Sequence, residues 1–160
     1  SLHSLGFAKF DLVDVAAIDK EYWLPRLEAA NVIFVLGGNT YYLLDEVIKS
    51  GLTDELPRLL ETRVYVGDSA GSILVTPSID VAEIDGGDEN IVNIKDTSGL
   101  GLVDFEVSPH TPEDVSLKAN EDYAKTIENK LIAYDNNMAV KVEGDSVELV
   151  GDGKYWEYNK

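Results

Sequence analysis

Hydrophobic and polar positions along the chain switch between the period of strands and the period of helices. Apolar runs closed by glycine, such as 32–36 before Gly37 and 64–66 before Gly67, are typical of strands buried on both faces. The pattern predicts strands over 10–15, 32–36, 64–66, 103–107, 131–134, 139–142 and 147–150, a further edge at 155–158, and helices over 19–30, 41–49, 53–61, 72–75 and 112–129. This alternation favours a parallel α/β fold. We expect the strands at 32–36, 64–66 and 103–107 to be parallel neighbours whose carboxyl ends share one edge.

Residues 80–100 break this regularity, because they are acidic and glycine-rich and show no sustained period. They are interpreted as a long loop or an excursion on the sheet, and such segments tend to be functional or mobile. No internal repeat or interdomain linker is evident. The expected organisation is therefore a single domain over residues 1–160.

The net charge and the cysteine and histidine content exclude several classes of partner and site. The chain has 160 residues and a formal net charge of −17, which argues against nucleic acid or an anionic membrane as a partner. The absence of cysteine excludes disulfides, thiolate zinc sites and a cysteine nucleophile, and two histidines make a histidine-rich metal centre improbable. The sequence contains neither a membrane-length apolar run nor a recognisable signal peptide, so we expect a cytoplasmic protein without metal or cofactor.

The sharpest local motif is Gly-Asp-Ser-Ala-Gly at 67–71, which fits Gly-x-Ser-x-Gly between a predicted strand and a predicted helix. A serine on such a tight turn needs small neighbours, and the amides at the helix start can stabilise an oxyanion. An ordinary glycine-rich turn has the same composition. The strand–turn–helix context favours Ser69 as a nucleophile.

Two further loops follow predicted strands. In Gly37-Gly38-Asn39-Thr40 the glycines allow close approach of the backbone to a ligand, and an amide there is a candidate oxyanion donor. Asn39 is the candidate substrate-binding residue, although a simple helix-capping turn would also explain this loop. His110, in Ser-Pro-His after the strand at 103–107, is the credible base for Ser69 because His3 lies at the extreme N-terminus.

The sequence does not identify which acidic residue would orient His110. Such a group must reach the imidazole to hold its tautomer and stabilise the imidazolium. The candidates are Asp80, Glu83, Asp85, Asp88, Glu89, Glu113 and Asp114.

Taken in order, three motifs resemble one family. Gly-Gly-Asn-Thr at 37–40, Gly-x-Ser-Ala-Gly at 67–71 and Gly-Leu-Val-x-Phe-x-x-x-Pro-His at 101–110 are similar in order and spacing to the peptidase E (aspartyl dipeptidase) family of serine peptidases. The resemblance implies a doubly wound, mostly parallel α/β fold of the class I glutamine amidotransferase-like (flavodoxin-like) type. It also implies Ser69 as nucleophile, His110 as base, and the amides of Gly38 and Ala70 as the oxyanion hole.

The chain departs from the family in two places. The family's acid lies about 15 residues after the serine in a Thr-Asn-Asp-Met-type segment that is missing here; Asp85 is favoured for this role, with Glu83 second. Family members also begin with a strand and helix that have no counterpart here, so we expect this sequence to lack the family's first strand.

The expected function is hydrolysis of short peptides, in particular dipeptides. The family resemblance suggests a preference for Asp at the N-terminus of the substrate. Arg26, Arg58 and Arg63 are the only arginines that could bind an Asp side chain, and none lies in a matched motif. The alternatives are a hydrolase of another amide on the same fold and a non-catalytic binding module that retains the turn as structure. The sequence leaves the oligomeric state open.

Overall fold

A computed structural model describes residues 6–159, which form an α/β structure with two compact units. The first unit comprises residues 6–33 and 46–64, and the second comprises 34–45 and 65–159. The elements in chain order are α1 (Lys20–Ala29), β1 (Val32–Val35), α2 (Thr40–Ser50), α3 (Leu52–Leu60), β2 (Val64–Gly67), α4 (Ala70–Ile73), a 3₁₀ segment (Asp80–Gly86), β3 (Phe105–Ser108), α5 (Leu117–Ala124), β4 (Lys130–Tyr134), β5 (Met138–Glu143), β6 (Ser146–Gly151) and β7 (Tyr155–Tyr158).

The first unit is built around apolar side chains at helical spacing. Leu52, Leu56 and Leu59 are buried, and their separations of four and three residues place them on one face of α3. Trp23 of α1 is completely buried in the same unit. The helix predicted over 53–61 is confirmed.

The strand predicted over 10–15 is wrong, since no strand precedes β1 in the described residues. The segment instead contacts Arg26, whose guanidinium donates to the Asp11 carboxylate and to the Leu12 carbonyl. The Leu12 side chain is 82% exposed, so the apolar positions of this segment do not face a core.

In the second unit, β3 and β4 pair in parallel, with register from Phe105↔Lys130 to Ser108↔Ala133. Every residue of β3 is buried. The strand β7 pairs antiparallel with the other side of β4, and β5 and β6 form an antiparallel hairpin. The predictions of strands at 131–134, 139–142, 147–150 and 155–158 are confirmed. The register brings the carboxyl ends of β3 and β4 together.

The α/β class is confirmed, but the expected sheet order differs from the structure. Within residues 6–159, β1 pairs with β2, whereas β3 lies in the separate β3-β4-β7 sheet. The chain entering β3 instead bonds to the turn after α4: Leu100 N donates to Leu74 O at 2.8 Å, and Leu102 N donates to Val75 O at 2.9 Å. The predicted pairing of 64–66 with 103–107 is therefore wrong for the described residues.

Two segments between the strands also differ from their predicted forms. The helix predicted over 112–129 is confined to α5, because Ser116 caps it by accepting a hydrogen bond from Ala119 N at 3.1 Å. The acidic stretch 80–100 contains the 3₁₀ segment and is anchored on α2, where Asp88 Oδ2 accepts from Thr40 N at 2.6 Å. Within residues 6–159, no helix combines the length and hydropathy that crossing a membrane requires.

Candidate active site

Ser69 lies on a strained turn between β2 and α4. Its φ and ψ of 53° and −116° are unusual for a residue with a side chain. A Cβ at Gly67 would overlap the Gly71 carbonyl, and a Cβ at Gly71 would overlap the Val35 carbonyl. Both flanking glycines of the motif are therefore required by close approach of the backbone, as expected for a turn that presents a nucleophile.

Tyr65 stabilises this turn by a hydrogen bond. Tyr65 on β2 donates its hydroxyl to the Gly71 carbonyl at 2.6 Å. Burial raises the pKa of Tyr65, so the phenol remains a neutral donor throughout the physiological range. The hydrogen bond ties the start of α4 to the strand that precedes Ser69.

Replacement of Gly71 by alanine tests this packing. We expect Gly71→Ala to destabilise the protein by about 1–3 kcal/mol because its Cβ has no space beside Val35. Urea unfolding measures the loss, and labelling of Ser69 by a fluorophosphonate reports the shape of the turn. Gly144→Ala is the control: Gly144, unlike Gly71, has a positive φ of 57°, but a Cβ there meets nothing within 4 Å. The control should lose some stability and keep full labelling; equal loss of labelling in both variants would contradict the steric argument.

His110 follows β3 and faces the serine. Its Nε2 lies 2.9 Å from Ser69 Oγ, so the structure brings the two predicted residues within one hydrogen bond. His110 has a φ of 63°, and its carbonyl accepts from Asp114 N at 2.8 Å. The next residue, Thr111, donates its N–H to the Tyr134 carbonyl at 3.0 Å, which fixes the loop to the end of β4.

The second ring nitrogen of His110 contacts a residue that the sequence analysis missed. Nδ1 lies 2.6 Å from Asn136 Oδ1 in the turn after β4. If the amide oxygen is the acceptor, Nδ1 carries the proton and Nε2 is free to accept one from Ser69 Oγ. The signal available in the sequence was a polar Asp-Asn-Asn turn at the carboxyl end of a predicted strand.

The carboxylates proposed for that position bind elsewhere in this structure. Asp85 Oδ2 accepts from Ser116 N at 2.7 Å, and hydrogen bonds from Ser116 hold the pKa of Asp85 below its usual range. Glu83 accepts a hydrogen bond from the Tyr41 hydroxyl at 3.1 Å. The structure does not bring either group onto the His110 ring, whose Nδ1 is occupied by Asn136.

The loop after β1 lies against Ser69. A Cβ built on Gly37 would be 2.8 Å from Ser69 Cβ, so the backbone of this loop passes directly beside the serine. Gly38 follows with a φ of 142°, and Ala70 opens α4 next to Ser69. Among the backbone hydrogen bonds of residues 6–159, none outside the regular elements uses the Gly38 or Ala70 amide as donor.

Asn39 has structural partners for both ends of its amide. Its Oδ1 accepts from Tyr42 N at 2.9 Å, which caps α2, and its Nδ2 donates to the Glu89 carbonyl at 2.9 Å. The structure thus places the predicted substrate-binding residue at the start of α2 as a helix cap. Across the described part of the chain, no group of three or more side chains is placed to hold a metal ion.

Comparison with known proteins identifies the family. The sequence profile of peptidase family S51 matches residues 1–150. The chain belongs to this family. The expected resemblance to peptidase E is confirmed, and membership of family S51 supports peptidase activity.

Relatives of this family S51 chain occur in distant organisms. An uncharacterised peptidase of Listeria monocytogenes is 29% identical, with 92% of this chain and 73% of the relative covered. Peptidase E of Streptomyces coelicolor is 30% identical over 81% of this chain and 56% of its own length. A probable alpha-aspartyl dipeptidase of Drosophila melanogaster is 32% identical over 79% of this chain and 55% of its own length.

Solved structures agree with the assignment. The crystal structure of a Listeria monocytogenes protein provisionally named peptidase E has a TM-score of 0.82 and 25% identity, and covers 94% of this chain and 73% of that one. A peptidase from an acI-B1 actinobacterium has a TM-score of 0.63 at 20% identity, which shows the fold alone; it covers 89% of this chain and 63% of that one.

Proposed function

We propose that this family S51 chain is a serine peptidase that hydrolyses short peptides through Ser69 and His110. The observation that carries the proposal is the 2.9 Å contact between His110 Nε2 and the hydroxyl of a serine held on a strained strand-to-helix turn. A serine hydroxyl is a weak nucleophile near neutral pH unless such a base accepts its proton. The class I glutamine amidotransferase-like fold is part of the proposal and rests on the family resemblance.

The geometry supports a two-step acyl transfer. Ser69 Oγ attacks the peptide carbonyl while its proton passes to His110 Nε2, and the tetrahedral oxyanion forms beside the Gly38 and Ala70 amides. The imidazolium then gives the proton to the leaving amine, and the C–N bond breaks to leave an acyl-serine. A water molecule, deprotonated by His110, hydrolyses the ester and releases Ser69.

Asn136 takes the orienting position in this proposal, where the sequence analysis expected the carboxylate of Asp85. Its amide oxygen can hold the Nδ1–H tautomer, as an acid would, but it adds no negative charge to stabilise the imidazolium. In this structure the Asp85 carboxylate accepts from Ser116 N. Asp85 would orient His110, as the sequence analysis expected, only after a change in the conformation of the 3₁₀ segment.

The experiment that tests the function is covalent labelling followed by turnover. A fluorophosphonate should label Ser69 and no other serine, which mass spectrometry of the digested protein identifies. Absence of labelling would support the non-catalytic binding module. Labelling without hydrolysis of any member of a dipeptide and tripeptide library would support a hydrolase of another amide.

The N-terminal preference is tested within the same library. The name of the Drosophila relative suggests Asp at the substrate N-terminus. In this chain the guanidinium of Arg58 pairs with Glu28 and Glu55, each at 2.8 Å, and that of Arg26 pairs with Asp11. The guanidinium of Arg63 donates to backbone carbonyls, including those of Leu27 and Glu28. We therefore propose that Asp-X and Asn-X dipeptides, which differ in charge but little in size, are cleaved at similar rates. A strong preference for Asp-X would show that a cation reaches the substrate side chain.

Substitution of Asn136 tests the orienting role. We expect Asn136→Ala to lower kcat by about 10²-fold or more, but by less than the roughly 10⁴-fold cost of losing a triad acid. Asn136→Asp keeps the oxygen and adds a charge beside the imidazolium, so its kcat should equal or exceed that of the unaltered protein. Asn137→Ala, at the exposed neighbouring asparagine, is the control and should retain full activity. Full activity of Asn136→Ala would exclude the role.

A further inference from the structure

One carboxylate near the candidate site is buried and has no part in the proposed reaction. Asp135 follows β4 directly and is only 8% exposed. A buried carboxylate is costly unless hydrogen bonds stabilise its charge. Here Oδ1 accepts from Asn137 N at 2.9 Å and Oδ2 accepts from Lys154 N at 2.7 Å.

These bonds join two parts of the chain that are distant in sequence. The Asn137 amide belongs to the turn that leads from β4 into β5, and Lys154 immediately precedes β7. The backbone of Asp135 reinforces both links, because its N–H donates to Lys154 O at 3.0 Å and its carbonyl accepts from Met138 N at 3.1 Å. Gly153 leaves room for this arrangement, since a Cβ there would overlap the Asp135 carboxylate.

The turn that Asp135 holds is the one that carries Asn136. The side chain of Asn136 is exposed at this turn, yet its oxygen lies 2.6 Å from His110 Nδ1. A contact by an exposed side chain is favoured when its backbone is already held in place, because ordering a mobile turn costs conformational entropy. The bonds on either side of Asn136 supply that restraint, and Thr111 N to Tyr134 O fixes the opposing loop.

We propose that Asp135 is a positioning residue for catalysis: its buried carboxylate fixes the turn that sets Asn136 Oδ1 against His110 Nδ1, and so selects the tautomer that leaves Nε2 open to Ser69. The inference rests on the proposed function for its kinetic consequence. The tautomer of His110 follows from the geometry alone, so it provides a readout that does not require turnover.

The central variant is Asp135→Asn, which keeps the size of the side chain but turns one acceptor oxygen into a donor. The new NH2 group cannot accept a hydrogen bond, so at most one of the two bonds from Asn137 N and Lys154 N survives, and the turn loosens. We expect kcat to fall about tenfold or more with little change in KM, because a small misplacement of a reacting group lowers the rate steeply. Nitrogen-15 NMR of the His110 ring should show less of the Nδ1–H tautomer, with His110→Gln used to assign the signals.

A double-mutant comparison separates positioning from general stability. In an Asn136→Ala background the orienting oxygen is already gone, so Asp135→Asn should cause no further loss of kcat, although it still lowers the melting temperature. Asp152→Asn, at an exposed aspartate close to Lys154, is the matched control and should leave kcat and the tautomer signals unchanged.

The outcomes are distinct. An equal loss of kcat in both backgrounds, or unaltered tautomer signals in Asp135→Asn, would overturn the positioning role. Changed tautomer signals in a protein that neither labels nor hydrolyses peptides would overturn the proposed function and leave the positioning role standing. If Asp135→Asn does not fold, Gly153→Ala displaces the carboxylate without removing its charge, and the same tautomer and kcat changes are expected from it.

Discussion

Ser69→Ala should abolish covalent labelling and lower kcat for peptide hydrolysis by about 10⁶-fold, the scale seen when the nucleophile of a serine hydrolase is removed. The reason is that the hydroxyl supplies the bond to the acyl group, and the remaining site can only stabilise attack by water. Stability should change little, because Ser69 is half-buried and alanine meets the same backbone strain as serine at a φ of 53°. The measurements are single-turnover kinetics and urea unfolding of the same preparations.

The control is the second serine of the same turn. Ser72 Oγ donates to the Ser69 carbonyl at 2.6 Å and accepts from the Tyr134 hydroxyl at 3.3 Å. Ser72→Ala loses these two hydrogen bonds, worth about 1 kcal/mol each, but keeps the proposed nucleophile. It should still be labelled at Ser69. Unchanged turnover in Ser69→Ala, or labelling that moves to Ser72, would remove the basis of the catalytic proposal.

The parts of the fold that the sequence predicted correctly are those specified by local pattern. Val32–Val35 is a short apolar run closed by glycine, and Leu52–Leu60 repeats leucine at helical spacing, so each element is determined by its own residues. The segment 10–15 also has an apolar pattern, but Leu12 is exposed and the segment bonds to Arg26 through Asp11 and Leu12. Such a contact depends on tertiary structure and leaves no periodic signal.

In the candidate site, too, some residues could be predicted from local motifs and others depend on tertiary structure. The contact between Ser69 and His110 could be predicted because each residue follows a strand and lies in a motif whose chemistry is specific. Asn136 was missed because its position depends on the register of β4 beside β3, in which Ser108 lies opposite Ala133. This register brings the residues just beyond both strand ends together, and no sequence pattern specifies it. Asp85 was favoured from its spacing after Ser69, whereas capping of α5 brings its carboxylate to Ser116.

Removal of the proposed base, His110, should also lower kcat strongly. A double variant that lacks both Ser69 and His110 tests whether the two residues act together. We expect His110→Asn to lower kcat by about 10⁶-fold, similar to the loss of the serine, because the two side chains act as one unit. Asparagine suits the left-handed φ of 63° better than most residues, so the backbone of the loop should be preserved. It cannot accept the Ser69 proton as an imidazole does.

The double variant Ser69→Ala/His110→Asn should be no slower than either single variant, since removing the second member of a pair that acts together has no further cost. Kinetics of all three proteins on one peptide test this, with His3→Asn as the control for the other histidine of the sequence. Losses that multiply in the double variant would mean that Ser69 and His110 act independently. In that case the 2.9 Å contact between them would be a structural hydrogen bond and not the proton path of a peptidase.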